Sequence, residues 1–262
     1  MKPKVATWNI NSIRLREAQV CRVLAEHAPD VLCLQETKSL TKDIPTENFR
    51  DLGYENLIFK GQKSYNGVAI ISRIPIEYKA YHDYCTKGDA RHIAVKFKNG
   101  IRIENFYVPA GGDIADITTN DKFAHKLSFL EEMRENFRRV RPKKTILVGD
   151  LNIAPLENDV WSHKQLLKVV SHTPIEVNSL NGVLNSGGFV DITRHDIPDG
   201  KLYSWWSYRS RNWMLSDRGR RLDHIWATKD LVSVNHSSFI LKEARGWERP
   251  SDHVPVFAEF HL

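Results

Sequence analysis

Asp252 and His253 stand side by side just ahead of an apolar run, Val254, Pro255 and Val256. A carboxylate next to an imidazole at the mouth of a strand points to chemistry before packing. Two more segments put an acid where an apolar run meets a loop: Val148, Gly149, Asp150, Leu151, Asn152, and Arg221, Leu222, Asp223, His224, Ile225. Glu36 closes the run from Val31 to Gln35, and Asn9 and Asn11 close the first run after Trp8. Strand ends delivering Asn, Glu, Asp, Asn, Asp, Asp and His in that order describe one shared, oxygen-rich cleft suited to a hard cation and a phosphate.

Asp150 and Asn152 are two apart, so both emerge on one face of an extended backbone. Asp150 can then take a proton from water while Asn152 holds that water or a phosphate oxygen. Pro155 follows closely and keeps an Asx turn open as the ordinary alternative. Glu36 is a candidate metal ligand, and the Asn9 amide can orient that carboxylate or complete an oxygen shell. Asp223, Asp252 and His253 suit a reaction in which an imidazole lies near a scissile phosphate and a carboxylate fixes its tautomer. His92 and His224 read as packing or capping residues. Each acid alone has a bland explanation as a loop starter; the combination favours a site.

The stretch from Trp205 to Arg221 interleaves Trp205, Trp206, Tyr208, Arg209, Arg211, Trp213, Arg218, Arg220 and Arg221, with Asp217 its only acid. Aromatics stack on bases or sugars and arginines contact phosphates, Arg209 and Arg211 among them. The competing reading is a surface loop whose tryptophans tuck into the core. The whole chain has 262 residues, 38 basic against 32 acidic, a formal charge of +6 that favours polyanionic partners. Arg134, Arg138, Arg139, Arg141, Lys143 and Lys144 read most simply as a solvated helix face and its exit.

Hydrophobic content of 41% and charged content of 27% leave no compositional case for disorder. No run approaches the ~20 apolar residues of a membrane span, and Lys4 and Val5 enter a strand without an apolar signal core, so a cytoplasmic protein with no membrane association is expected. Cys21, Cys33 and Cys85 lie outside any C-x-x-C pattern, which argues against a disulfide framework or a zinc site.

These groups must be positioned by strands expected at Val5 to Trp8, Val31 to Gln35, Gly67 to Ser72, His92 to Phe97, Ile101 to Val108, Thr145 to Asp150, Leu222 to Thr228, Ser233 to Leu241 and Val254 to Phe260. Ser12 can cap a helix carrying Ile13, Val20, Cys21 and Leu24 on one face. A second helix fits Asn120 to Arg139, and a third starts at Pro174 and ends at Gly187 or Gly188. Helices among many short strands argue for a layered α/β or α+β arrangement. The chain reads as one domain spanning 1–262, with long loops at 37–66, 109–120 and 153–175.

The chain resembles the exonuclease III branch of the endonuclease, exonuclease and phosphatase superfamily, which contains the apurinic/apyrimidinic endonucleases. The resemblance rests on Trp8, Asn9, Ile10, Asn11; Leu34, Gln35, Glu36, Thr37, Lys38; Asn66, Gly67, Val68, Ala69; Tyr107, Val108, Pro109; Gly149, Asp150, Leu151, Asn152; Leu222, Asp223; and Ser251, Asp252, His253, in that order along nearly the whole chain. It implies a four-layered α/β sandwich of two packed, mostly antiparallel sheets with helices on the outer faces and a site at one edge. It further implies that Glu36 binds Mg²⁺, or Mn²⁺ as a substitute, with help from Asn9, and that Asp252 lies close to the metal. Tyr107 would contact the scissile phosphate, Asp150 activate or orient the attacking water, Asn152 hold it, and Asp223 orient a charge-stabilising His253. Trp205 and Leu222 match positions lining a pocket for a baseless sugar. Arg220 stands where relatives carry a bulky apolar pocket residue, and Ala110 where they carry Asn or Gln.

The leading function is therefore a Mg²⁺-dependent, monomeric DNA repair nuclease acting on double-stranded DNA, cleaving 5′ to abasic sites and processing 3′ ends as exonuclease and phosphatase. Two alternatives are the same chemistry on inositol phosphates or sphingomyelin, and a non-catalytic nucleic-acid binding module. The basic, aromatic segment favours DNA, and a pure binding module has no need of Glu36, Asp150, Asn152, Asp223 and His253 together.

Overall fold

A computed structural model of the chain describes residues 3–210, 212–232 and 236–260. Its strands are β1 Lys4–Asn9, β2 Val31–Gln35, β3 Asn56–Lys60, β4 Val68–Ser72, β5 Ile76–Ala80, β6 His92–Phe97, β7 Arg102–Tyr107, β8 Thr145–Asp150, β9 Phe189–Asp191, β10 Trp205–Trp206, β11 Gly219–Arg220, β12 Asp223–Thr228, β13 His236–Ile240 and β14 Val256–Phe260. They form two six-stranded sheets, in the orders β13-β14-β1-β2-β4-β3 and β5-β6-β7-β8-β12-β9, and a two-stranded ribbon of β10 and β11. Pairing is antiparallel except for β1 with β2 and β7 with β8. Each parallel pair is joined through a helix, Glu17–Glu26 in the first sheet and Asp121–Val140 in the second, as a parallel connection requires.

Alternation along the strands sorts residues between layers. Val5, Val31, Cys33, Val68 and Ile70 of the first sheet meet Ile93, Val95, Ile103, Ile146, Val148 and Ile225 of the second in one buried core. The intervening Ala6, Trp8, Leu32 and Leu34 face outward under Val20, Val23 and Leu24 of the helix Glu17–Glu26. Phe106, Leu147 and Trp226 are covered by Phe129, Leu130, Met133 and Phe137 of the long helix and by Leu180 and Val183 of the helix Pro174–Ser186. The result is the four-layered α/β sandwich expected. A one-residue slip would exchange core and outer faces, so burial on both sides fixes each register.

The register also gathers the polar strand ends at one edge. Asn9 pairs with Gln35 across the parallel pair of the first sheet, placing Glu36 beside Asn9. Tyr107 pairs with Asp150, and Asp150 with Asp223, in the second. Because β14 runs antiparallel to β1 with Thr7 opposite Val256, the segment leading into β14 reaches the same edge. Beneath it Gln35 Nε2 donates to Asn105 Oδ1 at 2.7 Å and Asn105 Nδ2 donates to the carbonyls of Leu34 and Ala69, tying the two sheets together.

Several expected boundaries shift. Ser12 does not cap a helix: it sits at φ 92 ahead of a turn at 13–15, and the helix begins at Glu17. The stretch 37–66 contains the helix Glu47–Asp51 and the edge strand β3, which pairs with β4. Asn120 is the cap of the long helix, its side chain accepting from the Lys122 backbone, and Gly187 ends the helix that Pro174 begins. The first residues of the strand expected from Ser233 lie outside the described residues; β13 is described from His236. No helix among the described residues is long and apolar enough to cross a membrane.

Candidate active site

Asn9, at the end of β1, bridges the two sheets: its Nδ2 donates to Glu36 Oε1 at 2.9 Å and to Asp150 Oδ2 at 2.8 Å. Asn9 Oδ1 accepts from the Asn11 backbone, so it is the amide nitrogen that faces the carboxylates. Glu36 also accepts from the Tyr107 hydroxyl at 2.8 Å and pairs with Lys38 Nζ at 2.6 Å. Burial opposes its charge, but Lys38 and the hydrogen bonds from Asn9, Lys38 and Tyr107 together hold its pKa below the usual carboxylate range. Burial and the nearby Glu36 and Asp150 push the Tyr107 hydroxyl well up, which keeps it a proton donor.

Asp150 ends β8 after Gly149, whose φ of 145° and close approach to Phe106 leave no room for a side chain: a Cβ there would lie 1.9 Å from the Phe106 carbonyl oxygen. Asn152 then adopts φ 55, and both its backbone N–H and its Nδ2 turn back to donate to Asp150, at 2.9 and 3.1 Å. Asn152 Nδ2 also donates to the Val108 carbonyl, and the Asn152 carbonyl accepts from buried Lys126 Nζ at 2.8 Å. Lys126 is itself paired with buried Glu176. Burial is the main cause that lifts the Asp150 pKa to about 7, with His253 opposing and Asp223 adding to the rise.

His253 Nδ1 lies 2.8 Å from Asp223 Oδ2, leaving Nε2 toward Asp150 Oδ2 at 3.7 Å, beyond hydrogen-bond reach. Ser204 Oγ donates to Asp223 Oδ2 at 2.6 Å and accepts from the Leu222 and Asp223 backbones, holding that carboxylate still. Burial alone would lower the His253 pKa, but Asp223 and then Asp150 overcome it and raise it to about 10. The loop is fastened by Trp8 Nε1 donating to the His253 carbonyl and Ser251 Oγ donating to the Asn9 carbonyl. Asp252 turns elsewhere: its Oδ1 accepts from Asn11 and its Oδ2 from Trp205 Nε1 at 2.9 Å.

These groups open on a cavity of about 740 Å³, lined by Glu36, Tyr107, Asp150, Asn152, Asp252 and His253 together with Trp205, Arg209, Arg220 and Leu222. Trp205 is half-buried on the wall, packed against the cluster of Ala154, Val160, Leu166 and Leu222, and Trp206 lies in the core. Arg209 is exposed at the rim. Arg211 lies outside the described residues. Ala110 lines the cavity, and its carbonyl accepts from Lys126. Of the two bland histidines, His92 pairs with Glu104 and His224 is held among Arg221, Asp191 and the Ile153 carbonyl.

The donor set fits a hard cation. The Glu36 carboxylate, its charge kept despite burial, already holds one cation, the Lys38 ammonium, and Asp150 Oδ2 shares with Glu36 the donor Asn9 Nδ2, so two carboxylates stand at one place. Sequence reasoning missed Ser204, Lys126 and Glu176, which hold the site in place, and gave Ser251 a place in a motif but no role; Glu176 left a trace as the acid of a capping box with Thr173.

Residues 6–253 match the Endonuclease/Exonuclease/phosphatase family. The chain belongs to that family. The family is metal-dependent, in keeping with the acid and histidine cluster. The chain is 28% identical to exodeoxyribonuclease III of Haemophilus influenzae, covering 98% of this chain and 99% of that protein. Among solved structures, an AP endonuclease from Archaeoglobus fulgidus superposes with a TM-score of 0.92 at 33% identity, over 99% of this chain and 100% of that one. A 3′-5′ exonuclease from Neisseria meningitidis superposes with a TM-score of 0.91 at 30% identity, over the same shares of the two chains.

Proposed function

We propose that this chain is a metal-dependent DNA repair nuclease that hydrolyses the bond between phosphorus and O3′ in double-stranded DNA, at 3′ ends and 5′ to abasic sites, with Mg²⁺ as its ion. The observation that carries the reading is the convergence of Glu36, Asp150 and His253, the last held from behind by Asp223, from two sheets on one cavity walled by Trp205 and arginines. The relatives support it, as an exodeoxyribonuclease III and an AP endonuclease.

Glu36 would hold the ion, with Asp150 nearby; once bound, it offsets phosphate charge as a Lewis acid. Asp150 Oδ2 receives the proton of the attacking water, and the Asn152 amide fixes the carboxylate that does so. Protonated His253 Nε2 faces the phosphate and offsets the charge that develops there, while Asp223 keeps the other nitrogen engaged. Tyr107 would contact the scissile phosphate by turning to it the single hydroxyl proton that it gives to Glu36 in this structure. Arg209 and Arg211 contact flanking phosphates, and Trp205 and Leu222 wall the space that receives the nucleotide beyond the cut. The protein acts as a monomer of one domain in the cytoplasm.

Incubation with a duplex bearing an abasic-site analogue, a recessed duplex and an inositol phosphate, each with Mg²⁺ or EDTA, tests this. Cleavage of both DNAs in Mg²⁺ alone is expected; hydrolysis of the inositol phosphate with intact DNA would overturn it.

A further inference from the structure

Arg220 is a cation facing the catalytic cavity with no acid to balance it. Its NH1 donates to the Val170 carbonyl at 3.0 Å and to Ser171 Oγ at 2.7 Å, its guanidinium lies 5.3 Å over the Trp205 ring, and its Nε is buried without a partner. No carboxylate among the described residues lies within ion-pair distance; Glu176, the acid that influences it most, is committed to Lys126. Burial in turn lowers the Arg220 pKa. A partly desolvated guanidinium without a counter-ion is costly unless something else supplies the negative charge.

The backbone sets this cation at a defined place. Arg220 pairs with Trp205 across the ribbon, and Trp205 bridges to His253, so the three stand in neighbouring rows about 5 Å apart. Val160 clamps the other side of Arg220, and Gly219 lets the turn lie flat on Tyr203, where a Cβ would come within 2.5 Å of the ring. The guanidinium therefore lies on the cavity wall between Trp205 and the Val170–Ser171 loop.

We propose that Arg220 is a specificity-determining residue that recognises the extra negative charge of a terminal 3′-phosphate, and so directs the enzyme to 3′-phosphate ends over internal abasic sites. The proposal rests on the nuclease reading above. In a phosphate monoester, an unesterified oxygen replaces the ester oxygen that would lead to the next nucleotide. The group carries about 1.5 to 2 negative charges near neutral pH, where a diester carries one. Arg220, next to Trp205 on the wall of the same cavity, would meet that oxygen as a cation with no other acid to pair with. The step itself is unchanged: the water oxygen bonds to phosphorus as its proton passes to Asp150, the phosphorus–O3′ bond breaks with its electron pair going to O3′, and O3′ takes a proton from solvent. Inorganic phosphate and a 3′-hydroxyl end leave. At an abasic site the same place receives an uncharged sugar, which repays none of the cost of the buried cation.

The test compares wild type, Arg220→Gln, Arg220→Leu and Arg220→Lys on duplexes that differ only in bearing a recessed 3′-phosphate or an internal abasic-site analogue. The ratio of kcat/KM for phosphate over abasic cleavage should fall about tenfold or more in Arg220→Gln and Arg220→Leu and recover in part in Arg220→Lys. In EDTA, wild type should bind a 3′-phosphate duplex more tightly than a 3′-hydroxyl one, a reading that needs no variant. Equal losses on both substrates, or no binding preference in wild type, would overturn the proposal and leave the nuclease reading intact. A wild type inactive on all DNA would instead defeat that reading.

Discussion

Asp223 spends one carboxylate oxygen on two donors, Ser204 Oγ at 2.6 Å and His253 Nδ1 at 2.8 Å. It is also the largest of the groups that raise the His253 pKa to about 10 against the effect of burial. The imidazolium is thus available up to that pH and is lost above it. Asp223→Asn should move the alkaline limb of the kcat/KM profile to lower pH; a limb that stays in place would mean that His253 does not titrate in catalysis. The same raised pKa has a consequence for stability. Charged His253 favours the fold most fully below the ordinary histidine value, and that contribution fades as pH rises through about 10. Glu36, Asp150, Asn152, Asp223 and His253 were legible because each interrupts or ends an apolar run. Ser204 was not, and Ser251 was legible only as part of a motif and not in its role, since a serine carries no such contrast and their partners lie elsewhere in the chain. Asp252 was legible as an acid, but its direction was not: it is spent on Asn11 and Trp205, and it secures the cavity wall.

At the scale of elements, the long helix Asp121–Val140 does more than cover the second sheet. It sends Lys126 inward to the Asn152 carbonyl at 2.8 Å and to Glu176 of the next long helix, both members of the pair fully buried. Lys126→Met would leave Glu176 buried without its cation and should cost about 3–5 kcal/mol of unfolding free energy, read from urea denaturation. A loss within about 0.5 kcal/mol, the ordinary range for a surface change, would show that the pair does not stabilise the turn at Asn152. The strands that frame the site were read to within a few residues, because burial on both faces gives long apolar runs. The edge strands β3, β5 and β9 escaped: the first two lack any fully buried residue, and the third has only three residues. The ribbon of β10 and β11 escaped for a different reason: it has two residues a side, and its aromatics and arginines look like loop until Gly219 is seen lying against Tyr203.

Over the whole molecule, 38 basic residues against 32 acidic ones give a net +6, and DNA binding through lysines and arginines releases counter-ions. Affinity for a duplex in EDTA should therefore fall steeply as salt rises, and Arg209→Ala should reduce the slope of log K against log salt by about one. A flat response would remove DNA from the account. Helix pairs along the described helical surface do not add to this field, because Arg134 and Arg138 are neutralised by Glu131 and Glu135. The basic stretch is a solvated face, as its composition indicated.

The central claim is that the two sheet edges build one hydrolytic centre in which Asp150 receives the proton of water. Single-turnover cleavage of a recessed duplex, with saturating enzyme and Mg²⁺, tests it most directly in Asp150→Asn against wild type, with DNA affinity measured alongside. The amide keeps the shape of the side chain and loses its basicity, so the rate should fall by about a hundredfold or more while DNA binding is retained. An unchanged single-turnover rate in a folded, DNA-binding Asp150→Asn would contradict the account.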